Sequence, residues 1–86
     1  MKSFTSRSFR EAYKALPEPV RERARRAYRL FRANSSHPSL RFKKVDDAND
    51  IYSVRVGLGY RALGQFDGAE IVWFWIGPHQ EYDQRI

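Results

Sequence analysis

Residues 51–77 read "IYSVRVGLGYRALGQFDGAEIVWFWIG", and this stretch decides the fold. Runs rich in β-branched and aromatic residues are separated by glycine-containing segments, a pattern typical of strands joined by tight turns. The turns fall at residues 57–59 and 67–68, and the second is an Asp-Gly pair, which is a strong hairpin signal. The stretch therefore predicts three antiparallel strands.

The two turns also predict the register of this sheet. Val56 opposite Tyr60 places Arg55 opposite Arg61, and a slip of one residue would mix the apolar and polar faces. Across the second turn the predicted pairs are Gly64 with Ile71, Ala62 with Trp73 and Tyr60 with Trp75. One face then carries Tyr52, Val54, Val56, Tyr60, Ala62, Ile71, Trp73 and Trp75, and we expect helices to cover it. The other face carries Ile51, Arg55, Arg61, Leu63, Val72, Phe74 and Ile76, with Phe74 in the row of the two arginines.

The N-terminal half predicts a short edge strand and two helices. Residues 2–6 are the strand, and Ser8 with Glu11 matches a capping box at the start of the first helix. The run "LPEP" ends that helix, and its prolines suit the first turn of a second helix that extends to about Ala33. The short connection predicts an antiparallel helical hairpin.

The remaining segments complete one domain of residues 1–86. Residues 40–45, "LRFKKV", predict a strand with Leu40 and Phe42 on one face, and residues 78–86 predict one or two helical turns. The order that we predict is β-α-α-β-β-β. It predicts an α+β fold in which a helical hairpin packs on one face of an antiparallel sheet.

The composition limits the possible partners and cofactors. Sixteen basic residues against ten acidic ones give a net charge of +6, which favours a polyanionic partner, nucleic acid first. Without cysteine the chain forms neither a disulfide framework nor a zinc–thiolate site. The acidic cluster of residues 46–50 lacks the spacing of a calcium loop and predicts a plain turn. We expect a cytoplasmic protein without metal or cofactor, and no segment approaches the roughly 20 apolar residues of a membrane span.

Two arginines side by side on neighbouring strands are unusual, because like charges directly opposite each other destabilise a strand pair. Both Arg55 and Arg61 could extend to water over apolar stems. We favour an anion site instead, because guanidinium groups match phosphate geometry and an anion relieves their repulsion. His79 and Tyr82 follow the last strand and are expected near this pair. The preceding strand carries three basic residues, Arg41, Lys43 and Lys44. They either extend the positive surface or are solvated charges that protect an edge strand.

Several segments of the chain, in this order and spacing, resemble the RelE/ParE superfamily of small bacterial toxins from type II toxin–antitoxin systems. The segments are "LPEPVRERARRAYRLF", "LRFKKV", "YSVRVGLGYRALGQF" and "IVWFWIGPHQEYD". The resemblance covers nearly the whole chain and implies a sheet with a helical hairpin. It also implies a metal-independent, ribosome-dependent endoribonuclease that cleaves messenger RNA and inhibits translation, in which an RNA 2′-hydroxyl attacks the adjacent phosphate.

The resemblance assigns roles to individual residues. Arg61 would hold the scissile phosphate, Arg55 would assist electrostatically, His79 would be the general acid or base, and Tyr82 would position or stack a nucleotide. The residues expected to bind RNA are Arg41, Lys43, Lys44 and Phe74.

The resemblance also implies partners and an alternative function. An acidic antitoxin would cover an exposed apolar patch, with contacts at Leu63, Val72 and Ile76, and DNA operator binding is expected only for that complex. The chain departs from many ribosome-dependent relatives by having Ser53 and Gly57 in place of lysines. The main alternative is the gyrase-inhibiting branch, which shares the fold and lacks the nuclease residues.

Overall fold

A single five-stranded sheet organises the computed structural model, which describes residues 1–85. The elements are β1 (Lys2–Thr5), α1 (Arg7–Lys14), α2 (Glu18–Ala33), β2 (Lys43–Asp46), β3 (Ile51–Val56), β4 (Tyr60–Phe66), β5 (Glu70–Pro78) and α3 (His79–Arg85). The strand order is β1-β5-β4-β3-β2, with β1 parallel to β5 and the other neighbours antiparallel. The predicted α+β class is confirmed. The structure has four strands after the two helices, one more than the predicted order β-α-α-β-β-β, and the parallel β1–β5 pair makes the sheet mixed rather than antiparallel as predicted. Residue 86, the end of the predicted C-terminal turns, lies outside the described residues.

The first helix begins two residues earlier than its predicted capping box. Ser6 is the N-cap, and its hydroxyl accepts a hydrogen bond from the Phe9 N–H at 3.1 Å. Ser8 instead lies in the first turn and donates to the Phe74 carbonyl at 2.8 Å. The predicted cap was wrong because two serines two residues apart both offer a capping oxygen, and the one nearer the strand takes the role.

The main core lies between the sheet and the helices α1 and α2. Phe31 of α2 contacts the Trp73 ring edge-to-face at 5.3 Å and the Phe42 ring at 5.0 Å. Ile71 beneath them is fully buried. Edge-to-face aromatic pairs contribute about 0.5–1.5 kcal/mol each beyond the area they bury. The predicted helix-covered face is confirmed for Val54, Val56, Ala62, Ile71 and Trp73, which belong to this buried cluster.

The outer surface of α2 carries ion pairs that support its first turn. Arg21 and Arg25 contact the two carboxylate oxygens of Glu18 at 2.7 and 2.9 Å. Hydrogen bonds from Arg25 and Arg21 lower the pKa of Glu18.

None of the helices within residues 1–85 has the length and apolar character needed to cross a membrane. The longest of them, α2, has 16 residues and is rich in arginine.

The register between β3 and β4 is the predicted one. Val56 pairs with Tyr60 and Arg55 pairs with Arg61. Gly57 between them adopts a φ of +63°, a left-handed conformation that favours glycine. The strict alternation of apolar and polar residues in these two strands therefore located the arginine pair correctly.

The register between β4 and β5 differs from the prediction. The pair that closes the turn is Phe66 with Ile71, because the Asp67 carboxylate accepts hydrogen bonds from the N–H groups of Ala69 at 2.9 Å and Glu70 at 2.7 Å. These bonds close a longer turn than the predicted two-residue loop. The predicted pairs Gly64 with Ile71, Ala62 with Trp73 and Tyr60 with Trp75 were wrong.

A β-bulge in β5 then changes which residues face the helices. Trp73 pairs with Gly64 and Trp75 with Leu63, so Phe74 is an extra residue between them. As a result Trp75 joins Leu63 on the face away from α1 and α2, and Ile76 turns into the main core. Both residues were predicted on the opposite faces. The row of Arg55 and Arg61 continues to Gly77 rather than to Phe74.

The segment predicted as a strand over residues 40–45 is extended only in its second half. A 3₁₀ helix spans Pro38–Leu40, and β2 begins at Lys43. Arg41, between them, has a φ of +47°, which is uncommon outside glycine. Leu40 and Phe42 nevertheless both pack against the main core, as expected.

Candidate functional site

Two adjacent guanidinium groups define the site. Arg55 on β3 and Arg61 on β4 are directly paired across the strands, and both side chains are half-buried. Arg55 Nε donates to the Gly57 carbonyl at 3.2 Å, and an Arg61 terminal nitrogen donates to the Tyr60 carbonyl at 2.8 Å. The ion pairs formed within residues 1–85 involve neither arginine. The pair therefore retains donors for an anion.

The electrostatic state of Arg61 shows that its charge is poorly compensated. Burial lowers its pKa, and the charge of Arg55 lowers it further, with a smaller contribution from Arg41, while Tyr82 and Asp83 act in the opposite direction. Desolvation and like charges both disfavour the charged form. Arginine stays charged at any ordinary pH. A bound anion would remove this electrostatic cost.

Arg41 acts on the arginine pair from outside the paired strands. Its charge is among those that lower the pKa of Arg61. Its left-handed backbone, with φ at +47°, occurs where the chain leaves the 3₁₀ helix. Non-glycine residues in such conformations cluster at functional sites. Sequence analysis placed Arg41 in a strand and gave no sign of this conformation.

Gly77 lies opposite Arg61 and leaves room for a tryptophan. A Cβ atom at Gly77 would lie 2.5 Å from Cζ2 of Trp75, which is far inside van der Waals contact. The Arg85 guanidinium lies over the Trp75 ring, 4.7 Å from the ring centroid. Gly77 therefore allows Trp75 to pack against the sheet beside Arg61.

We expect Gly77→Ala to destabilise the protein by about 1–3 kcal/mol, the usual cost of overpacking. The added methyl group must displace the Trp75 ring, so its fluorescence should change together with the midpoint of urea unfolding. Gly59→Ala is the matched control, because a Cβ atom there meets nothing within 4 Å. Equal unfolding midpoints for the two variants would contradict this packing.

Helix α3 covers part of the face that carries the arginines. Tyr82 is 5% exposed and packs with Leu63 and Trp75, and its hydroxyl lies 3.4 Å from the Ser53 hydroxyl. A buried ring is not available to stack on a nucleotide, so this part of the role expected for Tyr82 was wrong, while a positioning role stays a prediction. Its position instead attaches α3 to the sheet. The C-terminal pattern is too short to show which face of the helix is buried.

His79 begins α3 and lies beside Arg61. The backbone N–H of His79 donates to the Gly59 carbonyl at 2.8 Å, and this bond fixes the start of the helix against the β3–β4 turn. Its side chain is 46% exposed, and Nε2 lies 3.4 Å from an Asp83 carboxylate oxygen. A surface pocket of about 380 Å³ is lined by Leu58, Gly59, Arg61, Pro78, His79 and Gln80. The structure thus brings His79 and Arg61 together in one pocket, of which Leu58 and Gln80 were not identified from the sequence.

The two lysines of β2 differ in their positions. Lys43 is exposed and pairs with Ser53, so it extends from the arginine face. Lys44 pairs with Tyr52, whose ring packs on the main core, and its ammonium group contacts Asp50 at 3.0 Å. Hydrogen bonding to Asp50 raises the pKa of Lys44. Lys44 therefore lies on the opposite face from the arginines and is paired, so of the two lysines expected to bind RNA only Lys43 extends the arginine face.

The apolar patch expected from the sequence is largely covered. Leu63 and Ile76 are each 2% exposed, so neither is accessible to a partner, and this part of the prediction was wrong. Phe74 is half-buried and packs against the cluster under α3, away from the arginine row. Val72 is exposed and pairs with Phe4 on β1, which is 48% exposed. The part of this patch that remains exposed thus lies at the β1 edge.

Within residues 1–85, no group of three or more histidine, aspartate or glutamate side chains could hold a metal ion. The acidic cluster of residues 46–50 forms the plain turn that its spacing predicted. There the Asp46 carboxylate accepts hydrogen bonds from the N–H groups of Ala48 and Asn49 at 2.9 and 3.2 Å. The polar side chains of the site are those of Arg55, Arg61, His79 and Gln80.

The chain is similar to known toxins. A family model described as the ParE-like toxin domain matches residues 18–84. RelE in the RelB–RelE complex from Methanococcus jannaschii is 19% identical, with a TM-score of 0.75 over 96% of this chain and 98% of that one. YafQ from E. coli is 8% identical, with a TM-score of 0.74 over 94% and 96% of the two chains. The E. coli RelBE complex gives 16% identity and a TM-score of 0.66 over 90% and 94%. No curated protein matches the chain by sequence.

Proposed function

The chain belongs to the ParE-like toxin domain family, within the RelE/ParE superfamily of toxins from toxin–antitoxin systems, and from this premise we propose that it is a ribosome-dependent endoribonuclease. Its substrate is messenger RNA bound on the ribosome, and its action stops translation. The observation that supports this proposal is the pocket in which His79 lies beside Arg61, which is itself paired with Arg55. A phosphate-binding group and a proton-transfer group are the two elements that RNA cleavage needs.

The proposed reaction uses a nucleophile from the RNA. The 2′-hydroxyl oxygen forms a bond to the adjacent phosphorus, its proton passes to water, and the bond from phosphorus to the 5′-oxygen breaks. Arg61 binds the phosphoryl oxygens and stabilises the negative charge that develops on them, with Arg55 and Arg41 in support. His79 donates a proton to the leaving 5′-oxygen. Asp83 lies 3.4 Å from Nε2 and orients the imidazole in the pocket.

The proposed partner is an acidic antitoxin. The net charge of +6 favours association with a negatively charged chain. The relatives from M. jannaschii and E. coli were solved as complexes with RelB antitoxins, which supports the same arrangement here. Of the apolar contacts expected from the sequence, Val72 remains accessible, next to Phe4. We propose that binding to a DNA operator is a property of that complex and that the toxin acts in the cytoplasm.

We expect His79→Ala to lower the rate of message cleavage by about 10²–10⁴-fold, the usual contribution of a positioned acid or base. Primer extension on messages translated with purified ribosomes measures this rate. His37→Ala is the matched control, because His37 lies before Pro38 in the connection to β2 and is absent from the lining of the Arg61 pocket. Messages that stay intact with the wild-type protein would overturn the nuclease function.

Inhibition of DNA gyrase is the second candidate function. It is favoured by the burial of Tyr82 and by Ser53 and Gly57, which replace the lysines expected in ribosome-dependent relatives. This function predicts DNA damage signalling with intact messages when the protein is expressed. It also predicts that His79→Ala remains toxic.

A further inference from the structure

We propose that the pocket beside Arg61 is a nucleobase subsite, in which Leu58 and Pro78 hold the base and Gln80 reads its edge. The inference rests on the proposed function, because the base belongs to a nucleotide whose phosphate Arg61 binds. It adds a specificity-determining residue, Gln80, and a substrate preference that the arginine site alone does not supply.

The position of Leu58 points to this use. Leu58 is 84% exposed at the tip of the β3–β4 turn, between two glycines. Within the part of the chain described it is the most exposed of the large apolar residues, and it lies next to a cationic pair. A single exposed leucine is common on protein surfaces. This one lines a concave surface together with Pro78, which gives the pocket two apolar walls.

The pocket has the size and the chemistry of a ligand site. Its volume of about 380 Å³ lies within the roughly 300–1,000 Å³ of small-molecule sites, which combine apolar walls with a few polar groups. Arg61 and His79 line the same pocket as Leu58, so a nucleotide bound there has its phosphate and base in adjacent positions. The walls are held in place, because the His79 N–H bonds to the Gly59 carbonyl and Pro78 pairs with Tyr60.

Gln80 supplies the group that distinguishes one base from another. It is exposed in the first turn of α3 and lines the pocket. Its amide has both a donor and an acceptor. That combination matches the N6 amino group and N7 of adenine, whereas a carboxylate at the same position accepts from the N4 amino group of cytosine. Unpaired RNA bases are read on these edges. We therefore expect the subsite to prefer adenine.

Dinucleotides with a 2′-deoxy first sugar test the subsite without cleavage. We would titrate four of them, differing only in one base, into the purified chain and follow the backbone amide resonances by NMR. We expect shifts at Leu58, Gly59, His79 and Gln80, and an adenine preference of roughly tenfold, as for one well-placed pair of hydrogen bonds. Equal affinities for the four bases, or shifts confined to other parts of the chain, would overturn the proposal.

Variants separate the role of the apolar wall residue Leu58 from that of Gln80, which recognises the base edge. Gln80→Glu should lose the adenine preference, whereas Leu58→Ser should weaken binding of all four dinucleotides. Gln84→Glu is the control for the added negative charge, because it lies one turn farther along α3 and does not line the pocket. An adenine preference unchanged by Gln80→Glu would contradict the assignment. Wild-type protein that binds adenine dinucleotides but leaves messages intact would support the subsite and overturn the nuclease function.

Discussion

Arg61→Ala is expected to lower the rate of message cleavage by about 10²–10³-fold, the effect of removing one positioned donor from a developing negative charge. The physical reason is that Arg61 is half-buried, is paired with Arg55 and forms no ion pair within residues 1–85, so its charge is available to an incoming anion. The measurement is the single-turnover rate on ribosomes programmed with a defined message. Growth arrest in a bacterial host should be lost in parallel.

The stability of the same variant distinguishes a site residue from a structural one. Removing Arg61 ends the repulsion with Arg55, so we expect the melting temperature to stay the same or rise. A protein that keeps a destabilising pair for its activity shows this opposition between stability and function. A large fall in melting temperature would show that Arg61 supports the fold instead.

Two further arginine variants complete this test. Arg29→Ala removes the same charge from an exposed position on α2 and should leave cleavage unchanged. Arg61→Lys keeps the charge but loses the planar fork, so only part of the activity should remain. If Arg29→Ala and Arg61→Ala reduce cleavage equally, the effect of Arg61 is one of net charge, and its proposed contact with the phosphate is wrong.

The arginine pair was predictable from the sequence because β3 and β4 alternate strictly and are joined by a glycine turn. The next strand offers no such alternation. Residues 71–76, "IVWFWI", are apolar throughout, so any register buries hydrophobic side chains and the pattern does not locate the bulge at Phe74. The faces of Trp75 and Ile76 were therefore predicted wrongly. The bulge is decided by packing, since it places Trp75 over Leu63 and leaves Gly77 opposite Arg61.

The surroundings of the site were less predictable than the arginines themselves. The proximity of His79 to Arg61 was predictable from its position just beyond β5, because the chain that leaves β5 passes the neighbouring strand β4. The burial of Tyr82 did not follow, since one aromatic residue in a seven-residue helix gives no periodicity. The left-handed backbone of Arg41 has no sequence signal either. The burial of Tyr82 depends on its tertiary contacts with Leu63 and Trp75, and Arg41 takes its conformation where it ends the 3₁₀ helix.

Tyr82→Ala is expected to destabilise the protein by about 3–5 kcal/mol, as when a large buried aromatic ring is removed. The ring is the main buried contact of α3, and its loss exposes Leu63 and Trp75 to water. Urea unfolding followed by tryptophan fluorescence measures the change. α3 carries His79 and Gln80, so detachment of this helix should also remove cleavage.

Tyr82→Phe separates the ring from its hydroxyl. The hydroxyl contacts Ser53 at 3.4 Å, a long hydrogen bond, and a typical bond of this kind contributes only about 0.5–1.5 kcal/mol. We expect this variant to be nearly as stable as the wild type and to cleave messages at a similar rate, because the hydroxyl lies within the core rather than at the phosphate. Loss of cleavage by Tyr82→Phe at unchanged stability would make the hydroxyl a catalytic group. The burial seen here would then have to be relieved on the ribosome, by movement of α3 away from the sheet.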